Sequence, residues 1–273
     1  MLLSVITINK NNASGLKRTL QSVLMQTFTE FEYIIVDGVS TDSSLEVIQE
    51  SEIKRNDIEY KWISEPDTGV FQAMNKGIQQ ATGEYLLFLN SGDFLVNEKV
   101  LETVFKKHHS ADFLLGQCNI SDKGKVIHIT TPPAKFTFGY LYEHNIAHQA
   151  TFIARRMFEQ HGLYREDFRY NADIEFWYRT IILQACSTET LDIVISDYNL
   201  GGISSQECET ETYKKEIAEI YSHPLLQLFI PDYENSIADR KQMEAFYWIK
   251  SKKILNAVSL LIFRFAKWAK NKD

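Results

Sequence analysis

Four short apolar runs recur between Met1 and Asn90, each separated from the next by room for a helix. "LLSVITI" (Leu2–Ile8), "FEYIIVD" (Phe31–Asp37), "IEYKWI" (Ile58–Ile63) and "EYLLFLN" (Glu84–Asn90) are rich in β-branched and aromatic residues. Runs this short and this continuous suit strands covered on both faces. Their spacing of about 28 residues is the length of a strand, a helix and a return. Between the first two runs, Leu16, Leu20, Val23 and Leu24 recur at helical spacing. "STDSS" offers caps to a second helix carrying Leu45, Val47 and Ile48, and Val70–Gln80 fits a third. The pattern predicts an α/β fold of Rossmann type. A mostly parallel sheet has helices on both faces, joined by right-handed crossovers.

The second half is less regular. Glu98–Lys107, Arg155–His161 and Ala172–Leu183 read as helices. "ADFLLG", "KVIHI", "AHQATFIA" and "LDIVISDY" read as strands, the second of them a candidate for antiparallel pairing. Beyond Glu207 the pattern is helical to the end. The expected organisation is a domain over 1–205 and a helical extension, amphipathic and basic, over 206–273.

Composition removes several classes. A net charge of −7 gives no support to nucleic-acid binding. Cys118, Cys186 and Cys208 are far apart and lack metal or redox spacing, as expected of thiols in a reducing compartment. No apolar stretch reaches the roughly 18–20 residues needed to span a bilayer. The start reads as a first strand and not as a signal peptide. The expected location is the cytoplasm, either free or peripheral at the inner face of the membrane.

In open parallel α/β sheets, ligands gather at the carboxyl ends of the strands. Here those ends are Thr7-Ile8-Asn9, then Asp37, then the approach to Glu65 and Asp67, then Ser91-Gly92-Asp93. Asp42, inside "STDSS", reads as a helix cap. Asp37 and Asp93 read either as turn and cap chemistry or as ligand-binding acids at the rim. There is no glycine-rich dinucleotide turn after the first strand, no GxxxxGK[ST] loop and no nucleophile elbow. A nucleotide bound at this edge needs another partner for its phosphates. A divalent cation on a carboxylate is the simplest one.

Three blocks carry a resemblance. "SVITINKNNASGLKRTLQSVLMQTFTEFEYIIVDGVSTDSS" resembles the opening of family 2 glycosyltransferases, which have the GT-A fold. "ISEPDTGVFQAMNKGIQQATGEYLLFLNSGD" is similar to the next block of that family, and "HQATFIARRMFEQHGLYREDFRYNADIEFWYR" to its later, acceptor-side block. Together they cover about residues 1–205, and in this order and spacing they are specific. The resemblance implies transfer of a sugar from a nucleotide donor, commonly UDP-linked, with inversion. The acceptor is a glycan or lipid-linked saccharide.

It also implies roles. Thr7, Asn9 and Asp37 fall where the family holds the base, and Asp67 and Lys76 fall near the donor. Asp93 matches the metal-binding acid of a DxD-type motif and implies Mn²⁺ or Mg²⁺. Ser91 departs from that motif's first Asp, and Gly38 departs where a second Asp is common. Asp173 matches the catalytic base, ahead of Glu175. His148 is either a ligand to metal or diphosphate or a packed histidine. Arg155, Arg156 and Arg165 are candidates for an acidic acceptor, and Gly201-Gly202-Ile203-Ser204 for a loop closing over it. Two other readings are a non-catalytic sugar-nucleotide-binding or scaffold subunit, and a nucleotidyltransferase. The latter wants a glycine- and arginine-rich loop that is missing.

From Asp239 to Asp273 the chain has nine Lys/Arg against three Asp/Glu, leaving −13 on the remainder. An apolar run of about a dozen residues among these cations is too short to span. It reads either as a helix on an anionic membrane surface or as one packed on its own domain or on the twin subunit of a homodimer.

Overall fold

The structure, a computed structural model, describes residues 1–52, 57–200 and 210–270. Gly201-Gly202-Ile203-Ser204 and Cys208 lie outside the described residues. The described chain forms two compact units, Met1–Ile220 and Tyr221–Asp273. The first therefore runs past the expected boundary at 205. It is an α/β unit with GT-A-like order.

Its first half alternates as the rhythm predicts: β1 (Leu3–Asn9), α1 (Ala13–Leu24), β2 (Phe31–Asp37), α2 (Ser44–Glu52), β3 (Glu59–Ser64), α3 (Val70–Gln80) and β4 (Tyr85–Phe88). Then come β5 (Phe94–Leu95), α4 (Val100–Phe105), β6 (Phe113–Asp122), β7 (Lys125–Thr130), α5 (Phe138–Glu143), β8 (Thr151–Ala154), α6 (Arg156–His161), α7 (Ala172–Trp177), β9 (Thr188–Asn199) and α8 (Glu211–Tyr221). The strands form one sheet in the order β3-β2-β1-β4-β8-β6-β9-β5, with β7 paired to β6. Pairing is parallel from β3 to β4 and antiparallel from β4 through β8 to β6; β6 and β9 are again parallel. The β6–β7 ladder is antiparallel, as the sequence suggested.

Every residue of β1 and β2 is buried, which explains their continuous apolar runs. Glu32, at the amino end of β2, is wholly buried with them. It is satisfied there by Ser4 Oγ and the Thr82 amide at 2.6 Å and by Lys61 Nζ at 2.8 Å. Burial pushes its carboxyl up, but Lys61 and the other donors outweigh it and hold the pKa below 4.5. A depressed carboxyl contributes stability in full above 4.5, and loses it as pH falls through the folded-state pKa. Glu32→Gln is therefore expected to lose about 2 kcal/mol at pH 7 in urea denaturation. The gap to wild type should close as the same titration is run below about pH 4.

Two stretches differ from expectation in ways that matter. "AHQATFIA" is a strand only from Thr151; His148–Ala150 forms a 3-10 turn, closed by Ala150 N–H on Ala147 O and by the Thr151 hydroxyl on the same carbonyl. That turn lifts His148 out of the ladder. The helix expected over Ala172–Leu183 is α-helical to Trp177, then π-helical over Tyr178–Ile182, with Leu183 N–H on Tyr178 O.

The second unit contains α9 (Pro224–Ser251) and α10 (Lys253–Lys270). No described helix is long and apolar enough to cross a membrane.

Candidate active site

The carboxyl ends of β1, β2 and β3 meet at Asp37. Asn9 Nδ2 donates to its Oδ1 at 2.9 Å, Ser40 N–H and Ser64 Oγ to its Oδ2 at 2.9 Å each, and Ser40 Oγ to Oδ1 at 2.6 Å. Asp37 is wholly buried. Burial raises its pKa, and the Ser40, Asn9 and Ser64 bonds bring it below the ordinary carboxylate value. Asp37 thus organises the rim loop after β2. Thr7 does not join this edge: it is wholly buried and its hydroxyl is 2.9 Å from the Tyr33 hydroxyl. Asp67 faces Gly38, where an added Cβ would lie 2.1 Å from Asp67 Oδ2. That close approach explains why position 38 carries no second acid. Lys10 Nζ lies 3.7 Å from Asp67. Lys76 donates to Pro66 O at 2.8 Å and pairs with Glu65 at 3.3 Å, closing the loop that precedes its own helix.

The Ser91-Gly92-Asp93 turn is clamped from α1. Asn12, which caps α1 by accepting from Gly15 N–H, donates through Nδ2 to Ser91 O at 2.9 Å and meets Ser91 Oγ at 3.2 Å. The Thr19 hydroxyl donates to Asp93 O at 2.7 Å and accepts from Gly92 N–H at 2.9 Å. Gly92 has φ +113°, a conformation that disfavours a side chain. Ser91 thus stands where a second acid is common and uses its hydroxyl on the α1 cap.

Asp93 is aimed inward and is only 5% exposed. Burial pushes its carboxyl up to about 7; the Asp197 charge adds to this, and His148 and a hydrogen bond from Gln149 oppose it. Asp197 follows the apolar run of β9, opposite Phe94 in the β5–β9 ladder. Its Oδ2 accepts from Ser121 Oγ at 2.8 Å, while its buried Oδ1 has no partner. Among the described residues, no three His, Cys, Asp or Glu side chains form a metal cage. Two mutually repelling buried carboxylates, one with an orphan oxygen, nevertheless suit a hard divalent cation that takes other ligands from phosphates.

Asp173, in the first turn of α7 and buried, also meets His148. His148 Nδ1 is 3.3 Å from Asp173 Oδ2, and His148 Nε2 is 3.4 Å from Asn90 Nδ2. An amide donor at Nε2 leaves the ring proton on Nδ1, where it points at Asp173. Asp173 Oδ1 accepts from Ile174 N–H at 2.8 Å. The Tyr164 hydroxyl is buried without a partner; burial first, then the Asp173 charge, pushes its pKa well up. The approach to α7 is held by Glu216 of α8. Its carboxylate accepts from the backbone N–H groups of Arg169, Tyr170 and Asn171 at 2.6, 3.1 and 3.0 Å, and from Asn171 Nδ2 at 2.9 Å. Beside this side, a crevice lined by Thr130, Phe136, Tyr140 and Asn145 runs to Ala147.

Other candidates are engaged elsewhere. Glu175 forms a fork with Arg179 at 2.9 Å on both arms. Arg155 pairs with Glu159, Arg156 with Asp112, and Arg165 with Asp167 and Glu219. Residues that sequence reasoning passed over are Asn12, Thr19, Asn90, Gln149, Asp197 and Glu216. Asp197 had a signal, an acid closing a β-branched run. The others are polar side chains of ordinary type whose partners are far away in sequence.

The chain belongs to glycosyl transferase family 2, whose family model matches residues 4–163. It is 32% identical over 227 residues to the PGL/p-HBAD biosynthesis glycosyltransferase of Mycobacterium bovis, covering 78% of this chain and 83% of that one. It is 31% identical over 157 residues to the poly(ribitol-phosphate) beta-N-acetylglucosaminyltransferase TarP of Staphylococcus aureus, covering 55% of this chain and 46% of TarP.

Among solved structures, S. aureus TarS 1–349 in complex with UDP-GlcNAc superposes with a TM-score of 0.63 at 21% identity. That match covers 81% of this chain and spans 65% of the TarS chain. The mannosyltransferase PcManGT of Pyrobaculum calidifontis, in complex with GDP-Man and Mn²⁺, gives a TM-score of 0.59 at 15% identity, covering 94% and 83%. At these identities the structural likeness concerns the fold.

Proposed function

We propose that this glycosyltransferase moves a sugar from a UDP-linked donor to a saccharide hydroxyl with inversion at the anomeric carbon. The observation that carries this reading is that two buried acids from different parts of the fold both meet His148: Asp93 of the rim turn feels its charge, and Asp173 of α7 lies 3.3 Å from its Nδ1. One acid belongs to the sheet rim, the other to the facing helix. Inversion needs such a division: the leaving diphosphate departs on one side and a base meets the acceptor on the other.

Asn9 and Asp37, with Ser40 and Ser64, form the floor of the nucleobase end. Asp93, with Asp197 behind it, would hold a divalent cation. Bound there, Mn²⁺ or Mg²⁺ would supply the positive charge that neutralises the diphosphate. Asp173 takes the proton from the acceptor hydroxyl, with its carboxylate oriented by His148 Nδ1–H. UDP-GlcNAc in the TarS complex supports the donor class, and Mn²⁺ in the PcManGT complex supports the cation.

Melting curves with UDP-glucose, UDP-galactose, UDP-GlcNAc and GDP-mannose, each with and without Mn²⁺, test the donor. A ligand held by the folded state raises Tm with its occupancy. At least one UDP-sugar should raise Tm by several degrees with Mn²⁺ and by little without it. A shift confined to GDP-mannose, or the same shift with chelator present, would reject the donor or the cation respectively.

A further inference from the structure

In the second unit, α10 carries a surface that the transfer reaction does not use. Ile254, Val258, Leu261, Ile262, Phe265 and Trp268 recur at three- and four-residue steps and so share one face. That face is open: Ile254 is 79% exposed, Leu261 and Ile262 65% each, and Phe265 69%. A contiguous apolar strip of this size calls for a partner. Lys253 and Lys267 lie away from that face of the same helix and Arg264 at its flank, interrupted by Leu260 and Phe263. At the end of α9, Tyr247 and Trp248 are also exposed, with Lys252 Nζ 5.8 Å from the Trp248 ring.

The charge pattern selects the partner. From residue 245 to 272 the chain has seven Lys/Arg and no Asp/Glu. A second copy on this face would cover the apolar side chains but leave the cations, which lie away from it, without an acid from this segment. A bilayer with anionic headgroups answers both features at once. Apolar side chains enter the acyl boundary, and lysine stems reach back to the phosphates. Tryptophans near both ends suit the interfacial layer. The helix cannot cross the bilayer.

We propose that α10 lies in the plane of an anionic lipid surface, with its Ile254–Trp268 face in the acyl boundary and its lysines at the headgroups. The inference holds whatever sugar is transferred.

The test is co-flotation of the full chain with phosphatidylcholine vesicles, with and without phosphatidylglycerol. Wild type should float with the anionic vesicles and fall away as salt screens the headgroups. Leu261→Glu/Phe265→Glu should return to background. Lys253→Glu/Lys267→Glu/Lys270→Glu should bind about tenfold more weakly or less. Both variants should keep the wild-type melting temperature, which separates lost binding from lost folding. Equal flotation with and without phosphatidylglycerol, or flotation unchanged in Leu261→Glu/Phe265→Glu, would overturn the proposal. So would an absence of flotation together with a concentration-dependent dimer that the same double variant abolishes.

Discussion

Asp173→Asn should lower kcat by a factor of about 10² or more while leaving donor binding nearly unchanged. The amide has the shape of the carboxylate and can stay beside His148, so the start of α7 is not disturbed. What is lost is the capacity to accept a proton from the acceptor. Because Asp173 belongs to α7 and not to the rim turn, the Tm shift given by donor and Mn²⁺ should match wild type. Transfer assays with saturating donor and acceptor read the first quantity, and melting curves read the second. Wild-type turnover in the variant would remove Asp173 from the base role. The nearby alternative, Glu175, is held in its fork with Arg179. Exchanging it should act through stability and not through turnover alone.

Asp93→Ala should have the larger effect. It removes the carboxylate that faces the diphosphate side, and with it the metal-dependent part of donor binding. Charge stabilisation of several kcal/mol is at stake, a fall of about 10³-fold in kcat/KM. The fold itself should survive. Burial holds this carboxyl up near 7, with the Asp197 charge adding to it, so its removal relieves a buried acid at the loss of its contacts with His148 and Gln149. The turn is fixed by backbone bonds to Thr19 and Asn12, which the substitution leaves alone. A variant with normal melting, no Mn²⁺-dependent shift and almost no transfer is the expected combination. Transfer that remains metal-dependent at the wild-type rate would contradict the assignment of Asp93.

The strand–helix rhythm and the rim acids were readable because they depend on local pattern. Val70–Gln80 forms a helix with the bounds its periodicity implies, and the Ser91-Gly92-Asp93 turn falls where a covered strand has to stop. Asp93 and Asp173 were found through motif order. Side-chain direction was less accessible. Thr7 lies on the last strand residues, yet its hydroxyl turns to Tyr33 under the edge. Lys76, on a helix leading to the donor edge, is taken up by Pro66 and Glu65. A continuous buried strand has no polar face to show which way each residue points. Asp197 and Glu216 could not be paired with the site by spacing, since their partners lie 76 and 45 or more residues away. His148 was left with two readings. The 3-10 turn before β8, which sets its direction, has no marked turn residues in "AHQATF".

The hold of Glu216 on Arg169, Tyr170 and Asn171 bears on the order in which the molecule is made. Synthesis runs from the amino end, and domains assemble as their chain emerges. The backbone of the rim at Asn9, Asp37 and the Ser91-Gly92-Asp93 turn is bonded to residues before 94, and the Asp93 carboxyl reaches later ones, Gln149 among them. That backbone has its own bonds long before the chain is finished. The turn that presents Asp173 waits for a carboxylate made more than forty residues later, beyond the 201–209 segment. A nascent or shortened chain ending near 205 would carry both acids and still lack the anchor of the second. The start of α7, which carries Asp173, is thus the last of these parts to gain its anchor.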